Sequence, residues 1–257
     1  MLLAERMRNK EKLIGMYVEM TDIASAKIAG LAGYDYVWVD TEHACMSYET
    51  LLGHIIALQA TGTPVVVRAS QDDLTATKKI LEMGVDGIIF PMVKTPEEAD
   101  RLIASTLYPP HGNRGFGPRN ACDYGYKDSL AYAEASVKGI ARFIQIEHRE
   151  TVENLDEIMK NEYIDGYVFG PCDLSGSYGV LGDVYGERIT DVIRSTMEKL
   201  HENGKYAMVA AAGYTSEIIQ HWHDLGADMI TAGADFDFIR DSAVRNCENM
   251  KRIHKGL

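Results

Sequence analysis

The chain has 257 residues, 46% hydrophobic and 25% charged, the balance of a globular protein and a length typical of one α/β barrel. A net charge of −12 without any run of Lys or Arg removes support for nucleic-acid binding, and no stretch is long and apolar enough to span a bilayer. The N-terminus MLLAERMRNKEK is charged where a signal peptide would be apolar, so a cytoplasmic location is expected; four widely spaced cysteines without CxxC pairing suggest neither a disulfide framework nor a thiolate zinc site.

Short β-branched or aromatic runs alternate with longer helical patterns. In chain order they are LIGMYV (13–18), YVWVD (36–40), PVVVRA (64–69), GIIF (87–90), RFIQIE (142–147), GYVFG (166–170), YAMVAA (206–211) and MITAG (229–233), and eight is the number that closes a (β/α)₈ barrel. Runs this short and this apolar suit parallel strands covered on both faces. Between them the spacing is helical, and Ile23, Ala26, Ile28 and Leu31 predict an apolar stripe after the first strand. AGYDYV, MGVDGII and LGADMI share one phrasing, a helix closed by Gly at C′ and followed directly by the next strand. One connection is long, from Leu107 to Asp128, and contains YPPHGNRGFG; loops of that kind in compact domains usually carry function or subunit contacts. The last segment aligns Phe236, Ile239, Ala243, Cys247 and Met250 on one helical face, which calls for a surface to cover in the same subunit or another. Residues 1–257 read as a single α/β barrel domain.

Active sites of such barrels lie at C-terminal strand ends. The polar residues there are Asp40, Glu42 and His43 after the second strand, Arg68 ending the third, Gln145 and Glu147 ending the fifth, and Asp173 beyond the sixth. Glu147 and Asp173, at the ends of adjacent strands, offer hard oxygen ligands to Mg²⁺ or Mn²⁺ and leave positions for water and substrate. Each also reads as a helix cap or the partner of an Arg, and in GPCDLS Asp173 suits an N-cap. At that helix start the backbone N–H groups of Cys172 and Asp173 would face an anion. His43 follows Asp40 by three residues, a spacing at which the carboxylate holds the imidazole in one tautomer and raises its basicity; the plain alternative is a loop histidine without a role. Arg68 needs a partner if it points inward, and its guanidinium suits a carboxylate or an enolate oxygen, or a structural ion pair with Glu147 or Glu42.

Other features carry less. GNRGFG is not a dinucleotide fingerprint, because no strand leads into it and no helix is signalled after it, so it reads as loop geometry. His221 and His223 lie two apart on a helical pattern, point in different directions, and read as surface residues. Lys94 is the lysine placed where an imine-forming residue would stand, and reads as a solvated loop charge.

The segments VDTEHACMSYETL, PVVVRAS, GIIFPMV, YPPHGNRGFG, FIQIEHRE and VFGPCDLS, in that order over nearly the whole chain, resemble the HpcH/HpaI family of class II pyruvate aldolases. Its members act on 4-hydroxy-2-oxoheptanedioate, 2-dehydro-3-deoxygalactarate or glucarate, or 2-keto-3-deoxyrhamnonate. The resemblance implies a TIM barrel of the phosphoenolpyruvate/pyruvate-binding type, with dimers that exchange the C-terminal helix and assemble as hexamers, trimers of dimers. It implies a divalent cation (Mg²⁺, Mn²⁺ or Co²⁺) held by Glu147 and Asp173 with Gln145 beside them, His43 oriented by Asp40 as base, and Arg68 on the keto or enolate oxygen. The backbone amides of Cys172 and Asp173 would receive the substrate carboxylate. Three positions depart from the common pattern: Thr41 stands in place of a Gly, Cys172 in place of an Ala and His148 in place of a Thr, and the segment AAAGYTSE after the seventh strand also differs.

The activity so implied is cleavage of a 4-hydroxy-2-oxo acid to pyruvate and an aldehyde, through a pyruvate enolate held by the cation and Arg68. Two rivals stand beside it: a lyase or mutase acting on phosphoenolpyruvate or another oxo acid, and a catalytically silent barrel that binds a 2-oxo acid. The fold alone separates none of them.

Overall fold

Eight parallel strands form at the eight apolar runs, with ends that shift by no more than a residue or so: β1 (Leu13–Val18), β2 (Tyr36–Asp40), β3 (Val65–Arg68), β4 (Gly87–Phe90), β5 (Ala141–Ile146), β6 (Gly166–Phe169), β7 (Tyr206–Ala210) and β8 (Met229–Ala234). The computed structural model describes residues 1–70 and 73–256. Each strand pairs with the next and β8 pairs with β1, so the sheet closes into a barrel with helices between the strands. Pro64 stops short of β3, as a residue without an N–H must, and offers only its carbonyl, which accepts from Val37.

Alternation along the strands separates two apolar layers. Val37, Val39, Val65 and Val67 belong to the layer shared with helix residues such as Ile55, Leu58 and Ile80. Tyr36, Trp38, Val66, Ile89, Phe143, Val168 and Met208 belong to a second cluster, joined by Leu3, Ala4 and Met7 of the N-terminal helix Leu3–Arg8. This second cluster fills the barrel, and the N-terminal helix closes its lower end. Gly15 is required there, since a Cβ would lie 2.4 Å from the Tyr36 ring.

The recurrent Gly phrasing has a second component at that lower end. Gly33, Gly84 and Gly226 have φ of 93°, 82° and 99°, the left-handed helix ending expected of them. The aspartate that follows each, with Asp165 as a fourth, acts as a clamp between strands. Asp35, Asp86, Asp165 and Asp228 accept at 2.9–3.0 Å from the backbone N–H of Ile14, Val65, Arg142 and Ala207 respectively. Each also donates its own N–H to the carbonyl of the same residue. Every odd strand is thus tied at its start to the even strand after it, and the upper end is left for chemistry.

Two apolar stripes behave differently from expectation. The helix Ile23–Leu31 buries Ala26, Ala29 and Gly30, while Ile28 and Leu31 are both 69% exposed. The reason is close helix packing: a Cβ on Gly30 would lie 2.3 Å from Thr61 Oγ1, so the small residues and not the large ones face inward. The helix Asp235–Met250 buries only Asp235, and Phe236, Ile239 and Met250 are exposed, so the chain does not cover its own last helix. Ile14, on a barrel strand, is 54% exposed as well.

Candidate functional site

The upper end of the barrel opens into a cavity of about 220 Å³ whose lining includes Tyr17, Glu19, His43, Arg68, Gln145, Gly170, Cys172, Asp173 and Gly213. The volume lies below the ~300–1,000 Å³ of drug-sized sites and suits a small substrate. Most of the residues expected at strand ends are here, although they are scattered over more than half of the sequence.

Strand register brings Asp40 opposite Arg68. Both carboxylate oxygens of Asp40 face the guanidinium: Nε donates to Oδ1 at 2.9 Å, and one terminal nitrogen donates to Oδ2 in a shorter contact. The other terminal nitrogen lies 3.1 Å from Glu42 Oε2. Asp40 is fully buried and Arg68 is 7% exposed. Burial works against the charge of Arg68, but the hydrogen bonds and charge of Asp40 outweigh it and hold the guanidinium pKa above its ordinary value. Arg68 also lies over Trp38, 5.2 Å from the ring centroid.

This pairing alters the expected role of Asp40. Among the described residues its other bond is from the Glu42 N–H, so Arg68 and not His43 is the side chain it orients. His43 stands largely exposed at the cavity rim, with Nε2 4.0 Å from Glu42 Oε2. The spacing of three residues places both groups at one turn, but the shared register of β2 and β3 decides which partner the carboxylate meets. Thr41 ties that turn to β3, its hydroxyl donating to the Arg68 carbonyl at 2.6 Å.

Glu147 follows β5 and is 2% exposed. One oxygen accepts from the Met92 N–H, the other from Gln145 Nε2 at 2.6 Å. Burial pushes its pKa up to about 7, against the pull of the Met92 N–H, and the negative field of Glu42 adds to the rise. The ion pair with Arg68 that the sequence left open falls to Glu42 rather than Glu147. Asp173 lies in the first turn of the helix Pro171–Ser177, whose N-cap is Gly170, so the N-cap reading of Asp173 does not hold. Gly170 leaves room for the floor of the site: a Cβ there would lie 2.7 Å from Gln145 Nε2 and 2.9 Å from Glu147 Oε2 and would displace both side chains.

The residues around the floor fit a hard divalent cation. Gln145 Oε1 is buried without a hydrogen-bond partner, beside Glu147 and near Asp173. Among the described residues no group of three or more His, Cys, Asp or Glu comes together as a metal site. The available donors are therefore two carboxylates and an amide oxygen, a set that suits Mg²⁺ or Mn²⁺ with water or substrate oxygens completing the shell. Charge points the same way: Glu19, Asp40, Glu42, Glu147 and Asp173 gather around one guanidinium, Arg68.

Sequence reasoning missed Glu19, Tyr17 and Phe236 on the cavity wall. Glu19 had a usable signal, since it is the first residue beyond β1 and polar. Other candidates lie elsewhere. Arg114 of the long loop is 3% exposed, 3.3 Å from Glu82 and 4.4 Å from the centroid of the Tyr108 ring, a structural role in keeping with loop geometry. His221 is not a plain surface residue: its ring meets Trp222 and Tyr185 edge-on, and burial lowers its pKa. His223 is exposed. His148 caps the helix Arg149–Glu153, accepting from the Glu150 N–H. Lys94 is absent from the cavity lining.

Comparison with known proteins gives a consistent picture. The model of the HpcH/HpaI aldolase/citrate lyase family matches residues 13–239. A hydroxypyruvate/pyruvate aldolase of Deinococcus radiodurans is 33% identical over 230 residues, 90% of this chain and 82% of that protein. A 5-keto-4-deoxy-D-glucarate aldolase of Escherichia coli is 28% identical over 243 residues, 95% of this chain and 94% of that one. Among solved structures, an HpcH/HpaI aldolase/citrate lyase family protein from Burkholderia cenocepacia superposes with a TM-score of 0.90 at 23% identity, covering 97% of this chain and 98% of the other. The citrate synthase SbnG superposes at 0.86 with 27% identity, covering 98% of each chain.

Proposed function

The chain belongs to the HpcH/HpaI aldolase/citrate lyase family, and from that premise we propose that it is a class II pyruvate aldolase, dependent on a divalent cation such as Mg²⁺, Mn²⁺ or Co²⁺. Its reaction is the reversible cleavage of a 4-hydroxy-2-oxo acid to pyruvate and an aldehyde. The observation that carries the reading is the meeting of Glu147, Gln145 and Asp173 with Arg68 at one end of the barrel, oxygen ligands beside a fixed cationic fork.

A bound cation would supply Lewis-acid stabilisation of the negative charge that develops as the carbon–carbon bond breaks. Glu147 and Asp173 would hold it, with Gln145 alongside. Arg68 faces the keto oxygen, and because Asp40 and Glu42 aim its guanidinium beforehand, little reorganisation accompanies the reaction. His43 takes the proton of the C4 hydroxyl during cleavage and returns it during synthesis, directly or through one water. The N–H groups of Cys172 and Asp173, in the first turn of the helix Pro171–Ser177, receive the substrate carboxylate.

The barrel of residues 1–257 acts as one catalytic domain in a homo-oligomer built as a trimer of dimers. Supporting the assembly, the last helix exposes Phe236, Ile239 and Met250 while Ile14 on β1 lies open, apolar surface that a second copy would cover. Among the described residues no helix is long and apolar enough to cross a membrane. The direct test is a panel of 4-hydroxy-2-oxo acids assayed for pyruvate release with and without Mg²⁺, Mn²⁺ or Co²⁺. Pyruvate release from none of them would remove the aldolase reading.

A further inference from the structure

The cavity has two unlike sides. Arg68, Gln145 and Asp173 bound one of them. The other, toward the ends of β7, β8 and β1, is small or apolar at Ala212, Gly213, Gly233 and Phe236, and then acidic at Glu19. Arg68 and His43 are the basic residues of the lining; Arg68 is taken up by Asp40 and Glu42, and His43 stands on the β2 side. The β1 side therefore presents negative charge whose nearest cations, Arg68 and His43, stand on the β2 and β3 side of the cavity.

Glu19 is held in place from behind. Its N–H and that of Met20 each donate to the buried Asp235 at 3.1 Å, and the Met20 carbonyl lies 2.9 Å from Nε2 of the fully buried His54. The side chain is partly buried, and among the described residues no donor hydrogen-bonds its carboxylate. Asp237, on the same wall, differs in this respect: it is occupied by the Ala234 N–H and by Arg240. Burial, followed by the field of Asp40, raises the pKa of Glu19 against the opposing charges of Arg68 and His43.

We propose that Glu19 selects the aldehyde partner, accepting hydrogen bonds from the hydroxyls of a neutral hydroxyaldehyde and repelling an aldehyde that ends in a carboxylate. The inference rests on the aldolase reading, in which the pyruvyl half occupies the Arg68 and Gln145 side and leaves the β7, β8 and β1 side to the aldehyde. In synthesis, pyruvate C3 loses a proton and bonds to the aldehyde carbon, whose oxygen gains one, so the rest of the aldehyde extends from the new bond toward Glu19. A hydroxyl there supplies the donor that the carboxylate lacks, whereas a second carboxylate meets the like charge of Glu19 at close range, with no basic side chain hydrogen-bonded to Glu19 among the described residues.

D-Glyceraldehyde and tartronate semialdehyde test this, because they differ only in carrying a hydroxymethyl or a carboxylate at the far end. With pyruvate and the intact chain, kcat/KM is expected to favour glyceraldehyde by about tenfold or more, a discrimination of the size that one hydrogen bond to a charged group provides. Glu19→Gln should shrink that ratio about fivefold or more, and Glu19→Lys should reverse it. Taking the ratio within each protein cancels any general loss of active enzyme, and the wild-type ratio needs no variant. A wild-type preference for tartronate semialdehyde, or a ratio unchanged in Glu19→Gln, overturns the assignment. Exchange of the pyruvate methyl protons by the wild type needs no aldehyde and reads the parent function alone. Exchange with the wrong ratio defeats the role of Glu19, and no exchange defeats the aldolase reading together with it.

Discussion

Asp40 and Arg68 face each other across β2 and β3 as a buried ion pair in which both carboxylate oxygens meet the guanidinium fork. Removing one partner leaves the other uncompensated, at a typical cost of about 3–5 kcal/mol. Asp40→Ala is therefore expected to lower stability by that order, and to reduce cleavage further because Arg68 loses its aim. Arg68→Lys should not restore activity, since an ammonium cannot span Asp40 and Glu42 together. Urea denaturation and steady-state kinetics on both variants decide it; full activity in the Arg68→Lys variant would show that the fork is dispensable.

His43→Ala should slow cleavage by roughly 10² to 10⁴ and leave cation binding nearly intact, because the residue stands at the rim and is not one of the oxygen donors assigned to the cation. Asp40 makes no bond to it, so Asp40→Asn should change the pH profile less than His43→Ala does. Matching profiles for the two variants would return Asp40 to the role of orienting His43.

Two ways exist to stabilise a pyruvate enolate, a divalent cation or an imine with a lysine, and they leave different traces. Lys94 lies outside the cavity lining. Chelation with EDTA should abolish pyruvate proton exchange, Mn²⁺ or Mg²⁺ should restore it, and Lys94→Ala should retain most activity. A pyruvyl adduct trapped on a lysine by borohydride, with exchange surviving chelation, would send Glu147 and Asp173 back to structural roles.

Glu147 supplies a pH dependence. Its folded pKa, about 7, lies above the ordinary 4.5, so the folded cation-free protein keeps a proton that the unfolded chain has released. The stabilising contribution is full below about 4.5 and is lost as pH rises to about 7, a change on the order of 3 kcal/mol. Cation affinity runs the other way, weakening as pH falls below about 7, because a protonated carboxyl is a poor ligand. Glu147→Gln should flatten both profiles. Urea midpoints and Mn²⁺ titrations of the two proteins across this range check it, and parallel curves would rule Glu147 out as the source.

Ile239→Asp and Met250→Asp place charge on the uncovered face of the last helix. Each is expected to shift the protein toward monomer in sedimentation at micromolar concentration while leaving the barrel folded by circular dichroism. A wild-type protein that sediments only as a monomer would count against the homo-oligomer.

Barrel closure was legible in the sequence because parallel strands covered on both faces are short, apolar and bounded by turn glycines, all local properties of the chain. The strand-end rule also singled out Arg68, Gln145 and Asp173, since closure alone brings strand ends together. Partner choice was not local. Asp40 lies three residues from His43 and twenty-eight from Arg68, yet the parallel register of β2 and β3 sets it against the arginine. The same holds for the aspartates at the lower end, whose bonds to the preceding odd strands depend on pairing across the sheet. Ile28 and Leu31 look like core by periodicity, but tight contact between neighbouring helices admits only small side chains and turns them outward. Periodicity and turn chemistry are written residue by residue, whereas the partner of a buried charge and the inward face of a helix are fixed only when distant segments meet at defined register and distance.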